Sequence, residues 1–283
     1  MFQKIVNISI VCASTNGKLK LPKLVKSISD GYYLPSEIII VGTSLSDSQF
    51  LNGNINKKIK LKFFISKIKN QIYQRNIGKK ISSNDLIIQT DDDVLFKKNT
   101  LKEFYYNSFF SPSKKILAAY VINENNLHQS VRFSRIYNNF LIFRLILRFL
   151  NNFKKINNFS LIQSGRIVPL IEPSLSRKYN NLDWLNSVMM YNKNHIFEPK
   201  FPLSSKKSYY EDVIFSNYNK LKVLKLIILK NAKIFHPTTK KTNFKIFLDT
   251  LEKQFYLVKF LKKNYILFII DVIIFTAIFA IYK

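Results

Sequence analysis

Cysteine is almost missing from this chain: its 283 residues hold one, Cys12. A single thiol closes no internal disulfide, and an unstapled chain fits a reducing compartment better than a secreted one. No zinc-type spacing is present. The opening apolar stretch lacks a small-residue cleavage pattern, so no secretory signal is read there. Acidic side chains are the other shortage, 17 Asp+Glu against 45 Lys+Arg, giving a formal net charge of +28. Neither an aromatic RNA-binding strand pattern nor a recognition-helix pair accompanies that charge, so no nucleic-acid partner is expected. An anionic membrane surface or a phosphorylated substrate accounts for it as well. What the chain does have is apolar residues, 47% of the total, enough for one large domain or a domain with an appendage.

In so basic a chain, three consecutive acids are not background. The apolar run Leu86-Ile87-Ile88 leads into Asp91-Asp92-Asp93. A buried strand ending in Asp-x-Asp sets two carboxylates at the carboxyl edge of a sheet, where open α/β sheets bind ligands. Oxygen donors clustered there suit Mg²⁺ or Mn²⁺ carrying a diphosphate. Hydrophobic patterning predicts strands over 5–12, 37–41, 59–65 and 86–90, with helices over 21–28 and 70–81 between them. Pro35 is expected to break the chain ahead of the second strand. Strand, helix, strand, strand, helix, strand argues for a doubly wound half-domain with the acids at its ligand edge.

Further on, a helix is expected over 101–110 and a strand over 116–122. Residues 140–150 form an apolar helix with Arg144 and Arg148 one turn apart on a shared face. Such a helix either covers the core with its arginines in solvent or lies in the plane of a membrane. Residues 265–282 are the strongest apolar segment and as a helix would reach roughly 27 Å. Lys259, Lys262 and Lys263 precede it and Lys283 follows, which would leave the bulk of the protein cytosolic. Asp271 argues against a free-standing span, since it would cost about 2.5–3.5 kcal/mol in mid-bilayer. A span, an interfacial helix and packing on another subunit all stay open. Three regions are expected: 1–115, 116–245 and 246–283, the last a basic, apolar tail.

Other motifs surround the acids: Gln74-Arg75-Asn76-Ile77-Gly78 before them, then Trp184, Tyr209-Tyr210-Glu211-Asp212 and Phe235-His236-Pro237. Together with Val11 to Asn16 and Ile38 to Asp47, and in this order, the set resembles family 2 glycosyltransferases of the GT-A fold over about residues 5–245. The fold implied is a Rossmann-like mixed sheet flanked by helices, here with a C-terminal membrane-associated helix. By that resemblance Asp93 would hold a divalent cation, Asp91 would face the ribose or the ion, and Asp92 would lie between them against the nucleotide-sugar. His236 would bind the same metal or the diphosphate, and an imidazole ligand favours Mn²⁺ over Mg²⁺. Ser14, Thr15, Asp47 and Arg75 would contact the nucleotide-sugar, and Trp184 the acceptor. Asp212, paired with Glu211, would be the general base. Ser204 to Lys207 with Tyr209-Tyr210 would form a flap over the diphosphate.

Two positions depart from the pattern. Gly42-Thr43 stands where an acid often reads the nucleotide base. Asn186 replaces a glycine, which a left-handed backbone would allow. The resemblance implies an inverting transferase that moves a sugar from a nucleotide-diphosphate donor to a glycan or lipid-linked acceptor. It would serve surface polysaccharide synthesis at the cytoplasmic face of a bacterial inner membrane. A nucleotidyltransferase would call for a Gly-rich loop with a lysine after the first strand, which is absent. The alternative from another class is an inactive basic protein of the same fold that binds anionic lipid or nucleic acid.

Overall fold

The computed structural model describes residues 3–15, 17–45, 55–109, 114–122, 136, 138–169, 178–180, 182–199, 210–237 and 243–281; side chains within 243–250 and 278–281 lie outside the description. Asn16, Asp47, Ser204 to Lys207 and Tyr209 therefore fall outside it. The first half runs β1 (Lys4–Ala13), α1 (Leu21–Ser29), β2 (Tyr33–Gly42), β3 (Lys60–Ile65), α2 (Gln71–Ile81), β4 (Leu86–Asp91). The second half adds β5 (Leu95–Phe96), α3 (Thr100–Ser108), β6 (Lys115–Ile122), α4 (Leu141–Leu150), β7 (Ser160–Leu161), β8 (Ile167–Val168), β9 (Lys178–Tyr179), β10 (Met189–Asn192), α5 (Glu211–Leu221) and β11 (Lys225–Phe235). Two helices close the chain, α6 (Asn243–Phe260) and α7 (Tyr265–Ile281).

One mixed sheet passes through both halves in the order β3-β2-β1-β4-β10-β6-β11-β5, with β9 also on β11. Strands β3, β2, β1 and β4 are parallel, and β10 joins β4 to β6 antiparallel to both. The expected Rossmann-like mixed sheet is present. Their runs read as continuous hydrophobics because both faces are covered: Ile38, Ile39, Ile40 and Val41 of β2 are all fully buried. Chain order reverses at β1, with β2 and β3 on one side and β4 on the other. Ligand crevices form at such a switch point, outside the carboxyl ends of the strands. Ala13 pairs with Asp91 across β1 and β4, so the residues that follow each strand emerge side by side.

Pro35 does not break the chain. It lies inside β2 opposite Val6, beside a register shift in β1 between Val6 and Ser9. The β3 partner begins only at Glu37, so the missing Pro35 N–H deprives no bond on that side. In α2, Gly78 lies against β1, where a Cβ would stand 2.3 Å from Val11 Cγ1. Only a residue without a side chain allows this helix–strand approach. Gly78→Ala is expected to destabilise by about 1–3 kcal/mol through overpacking, read as a lowered urea midpoint; an unchanged midpoint would mean the helix can ride outward without cost.

α4 covers the core through Leu147 and Leu150, which pack with Ile270 and Phe275 of α7. Asp271, the mid-helix acid, is fully buried. It accepts hydrogen bonds from Ser164 Oγ at 2.7 Å, Gln254 Nε2 at 2.6 Å and Arg166 Nε at 3.0 Å. The carboxylate thus meets protein donors rather than lipid. Among the described residues no helix is long and apolar enough to cross a membrane.

Candidate functional site

The crevice at the switch point is a cavity of about 500 Å³, and five acids line it: Asp91, Asp92, Asp93, Glu211 and Asp212. The acids come from two places, the end of β4 and the start of α5, 118 or more residues apart in sequence and brought to one cavity by the fold. Ala13, Thr15, Gln71, Gln74, Ser187, Tyr210, His236 and Lys253 complete the lining.

Each acid has a different set of partners. Asp91 is the most occupied. Arg75 Nη2 and Gln71 Nε2 each donate to its Oδ1 at 2.5 Å, and Ser187 Oγ donates to its Oδ2. Arg75 also donates through Nη1 to Glu211 Oε1 at 2.7 Å. One buried guanidinium therefore ties β4 to the start of α5, and the two carboxylates hold it more firmly charged still. Arg75 is 3% exposed and absent from the cavity wall. Its place is behind the site, positioning the acids, and not against a nucleotide as the resemblance implied. Removing it would leave two carboxylates with a buried, unmatched charge. Arg75→Met is expected to cost about 3–5 kcal/mol in unfolding free energy; a urea midpoint equal to that of the parent would show that the bridge contributes nothing.

Asp92 accepts from Ser14 Oγ at 2.6 Å, which locks the end of β1 to the acidic loop. Burial pushes its carboxyl up, and Ser14 and Lys20 oppose that. Lys20 Nζ lies 3.4 Å from Asp92 and 3.3 Å from Asp93. His236 Nε2 is 3.4 Å from Asp93 Oδ1. That contact holds Asp93 down at about 2 and raises the imidazole above its ordinary value. Gln74, in the same helix as Arg75, donates to the carbonyls of Ser14 at 2.8 Å and Val41 at 2.9 Å, fastening the ends of β1 and β2.

Asp212 presents a contrasting environment. Burial first, then the neighbouring Glu211 and Asp91, lifts its carboxyl to about 8, against a bond from the Val213 N–H and the charge of Arg75. A carboxylate that holds its proton this tightly is suited to take one from a substrate hydroxyl. Tyr210, just before the pair, adopts φ 49° and ψ 39° at the helix entry. A tyrosine in that left-handed region costs of order 1–3 kcal/mol. Lys253 Nζ lies 5.5 Å from the Tyr210 ring centroid, so α6 contributes to the cavity wall.

Of the residues singled out by sequence, Asp91, Asp92, Asp93, Thr15, Glu211, Asp212 and His236 share the cavity, with Ser14 bonded to its edge. Trp184 does not. It is half-buried, packs on Phe159 with ring centroids 5.4 Å apart and is absent from the described cavity wall. Asn186 is not left-handed; its side chain donates to Ala119 O at 2.6 Å and accepts from the Val188 N–H at 3.1 Å. Four residues gave no sequence signal that was used: Lys20, Gln71, Ser187 and Lys253. Gln71 had one available, since it lies one turn before Arg75 on the same helix face.

Asp91, Asp93 and His236 were expected to hold a metal together. Among the described residues no three His, Cys, Asp or Glu side chains converge as a metal cage. Asp91 is taken up by Arg75, Gln71 and Ser187, which removes it from that set. Asp93 and His236 do meet, at the open cavity. One carboxylate and one imidazole suit a cation whose remaining positions are filled by substrate phosphates and water. The donor set fits a diphosphate-carried ion and not an all-protein site.

Residues 56–144 match the family profile described as Galactosyltransferase. No curated protein matches the sequence. Among solved structures, the chain is similar to S. aureus TarS, with TM-score 0.52 and 15% identity over 89% of this chain and 39% of that one. GalNAc-T7 with UDP, GalNAc and Mn²⁺ gives TM-score 0.59 and 13% identity, covering 89% of this chain and 47% of that one. S. aureus TarS 1–349 in complex with UDP-GlcNAc gives TM-score 0.52 and 13% identity, with coverage of 89% and 66%. The chain therefore spans between 39% and 66% of the lengths of these proteins. At such identities the likeness establishes the fold, which is of the GT-A glycosyltransferase type.

Proposed function

We propose that this protein is an inverting glycosyltransferase that uses a nucleotide-diphosphate sugar. The observation that carries this reading is that Asp212 and the Asp93–His236 pair line one cavity. Asp212 takes the proton of the acceptor hydroxyl as that oxygen bonds to the anomeric carbon. The carbon–oxygen bond to the diphosphate breaks on the opposite face, and its electron pair leaves with the nucleotide, inverting the centre. Asp93 and His236 would hold a divalent cation, Mn²⁺ or Mg²⁺, which supplies Lewis-acid stabilisation of the departing charge. Lys20, against Asp92 and Asp93, offers further positive charge at that end. Thr15 and the Ser14–Asp92 pair line the donor side. Glu211, bonded to Arg75, keeps Asp212 beside a second negative charge and so raises its proton affinity.

Within the GT-A type we assign the chain to family 2, because Asp212 and His236 complete the motif order beyond residues 56–144. Incubation with a panel of nucleoside-diphosphate sugars and Mn²⁺ tests the reaction, with nucleoside diphosphate release and product anomer by NMR as readouts. Release of pyrophosphate, or retention at the anomeric carbon, would overturn it. A protein that binds no nucleoside diphosphate in the presence of metal would favour the inactive basic fold instead.

The same reading places the protein at the cytoplasmic face of a bacterial inner membrane, acting on a glycan or lipid-linked acceptor. Its support is the apolar outer face of α4 and α7, where Leu141, Ile142, Leu145, Phe149, Ile266, Ile269 and Ile273 are exposed. The one acid on these two helices is Asp271, which is buried, and Arg148 is exposed among the apolar residues. That pattern suits a helix pair lying in an anionic interface. Flotation with vesicles is the check: the protein should rise with phosphatidylglycerol vesicles, and Phe149→Asp with Ile269→Asp should remain at the bottom. Equal behaviour of parent and variant would remove the membrane face.

A further inference from the structure

Among the described residues, every cation but one at the cavity is matched to a carboxylate. Lys20 sits on Asp92 and Asp93, Arg75 on Asp91 and Glu211, and His236 on Asp93. Lys253 lines the same wall, and among the described residues no carboxylate pairs with it; its Nζ lies over the Tyr210 ring. A flexible lysine amid five acids would be expected to fold onto one of them. Its helix prevents it from moving as a whole. The next residue, Gln254, is 2% exposed and donates to Ser164 O at 3.0 Å and Asp271 Oδ2 at 2.6 Å, while Leu257 and Val258 are fully buried. The ammonium is therefore presented to the cavity from an anchored position.

Its location within the cavity indicates which substrate it meets. The diphosphate end is marked by Asp93, His236 and Lys20. Lys253 lies on the ring of Tyr210, two residues before Asp212. A general base has to lie within hydrogen-bond reach of the hydroxyl it deprotonates, so the surface beside Tyr210 and Asp212 belongs to the acceptor.

We infer that the acceptor carries an acidic group, a phosphate or a carboxylate, and that Lys253 binds it. This rests on the transfer reaction proposed above and names the acceptor class for that site.

The test fills the donor side first. With saturating UDP and Mn²⁺, calorimetry compares glucose 6-phosphate, glucuronate and neutral glucose as probes. The parent should bind one or both acidic sugars about tenfold more tightly than glucose. Lys253→Met should lose that preference with its UDP affinity kept, and Lys253→Arg should retain it. The phosphate and carboxylate arms tell which acid is read. Equal binding of all three probes by the parent, or a preference that survives in Lys253→Met, overturns the inference alone. A Lys253→Met variant that instead loses UDP affinity also overturns it, since the cation then serves the donor. Should the parent bind no UDP with Mn²⁺, the transfer reaction and this inference fall together.

Discussion

Asp212→Asn should abolish sugar transfer and at the same time make the protein harder to melt in mildly alkaline buffer. The two effects have one cause. Asp212 holds its proton up to about 8, far above the ordinary 3.8, because burial and the neighbouring Glu211 and Asp91 disfavour its anion. A folded-state value raised above the unfolded one means that protonation favours the native state. Stability is therefore lost as pH climbs from about 4 to about 8, and no further loss follows above that. Asparagine never ionises, so the variant escapes the loss. Its melting temperature should match the parent near pH 4 and exceed it by a margin that grows up to about pH 8.

Catalysis moves the other way. Proton abstraction needs the anion, so kcat/KM of the parent should rise with pH towards a plateau above about 8. The amide accepts no proton, and kcat should fall by about 10²–10⁴-fold. Melting curves and rates over pH 4–9 measure both. A variant that keeps the parent's rate, or that melts lower than the parent at pH 8, removes Asp212 from the role of base.

Asp93→Ala should lose metal-dependent nucleotide binding without loss of fold. Asp93 makes its contacts with His236 and Lys20 at the cavity mouth and supports no core element. A Lewis-acid contact is worth several kcal/mol, so the Mn²⁺-dependent part of UDP affinity should drop about 100-fold or more. His236→Ala should act in the same direction with a smaller loss. Asp91→Asn makes the contrast: it breaks the Arg75 network and should lower the melting temperature while a folded fraction still binds Mn²⁺ with UDP. Calorimetry with UDP, with and without Mn²⁺, separates the three. Undiminished metal-dependent binding by Asp93→Ala would dissociate this acid from the cation.

The first half of the sheet was legible because its signals are local. Continuous runs such as Ile38 to Val41 read as buried parallel strands, and α2 and β4 fell within a residue or two of their observed ends. β10 and β11 were not legible. Met189 to Asn192 is short, and Lys225–Phe235 carries lysines at its start and middle, so neither shows a clean period. These strands exist because the sheet supplies partners on both sides, which is a non-local circumstance. The acidic triplet, the Glu-Asp pair and His236 were found by type and order. Lys20, Ser187 and Lys253 were missed, since a serine or lysine far along the chain carries no mark of where it will fold.

Roles proved harder than membership. Arg75 and Trp184 belong to motifs readable in order, yet only the fold shows that one is a buried bridge and that the other packs on Phe159. Asp91 sits in the most conspicuous run of the chain, and three neighbouring donors claim its oxygens.

Composition and pattern determined by themselves that this is a basic, disulfide-free α/β protein with acids at the ligand edge of its sheet, because burial and charge are written residue by residue. Tertiary structure alone decided that Asp212 and Asp93 line one cavity, that Asp271 is met by Arg166 within protein, and that Lys253 reaches the site from α6. Those facts depend on which distant segments become neighbours. Electrostatic consequences follow distance in space, and the linear chain does not record that distance.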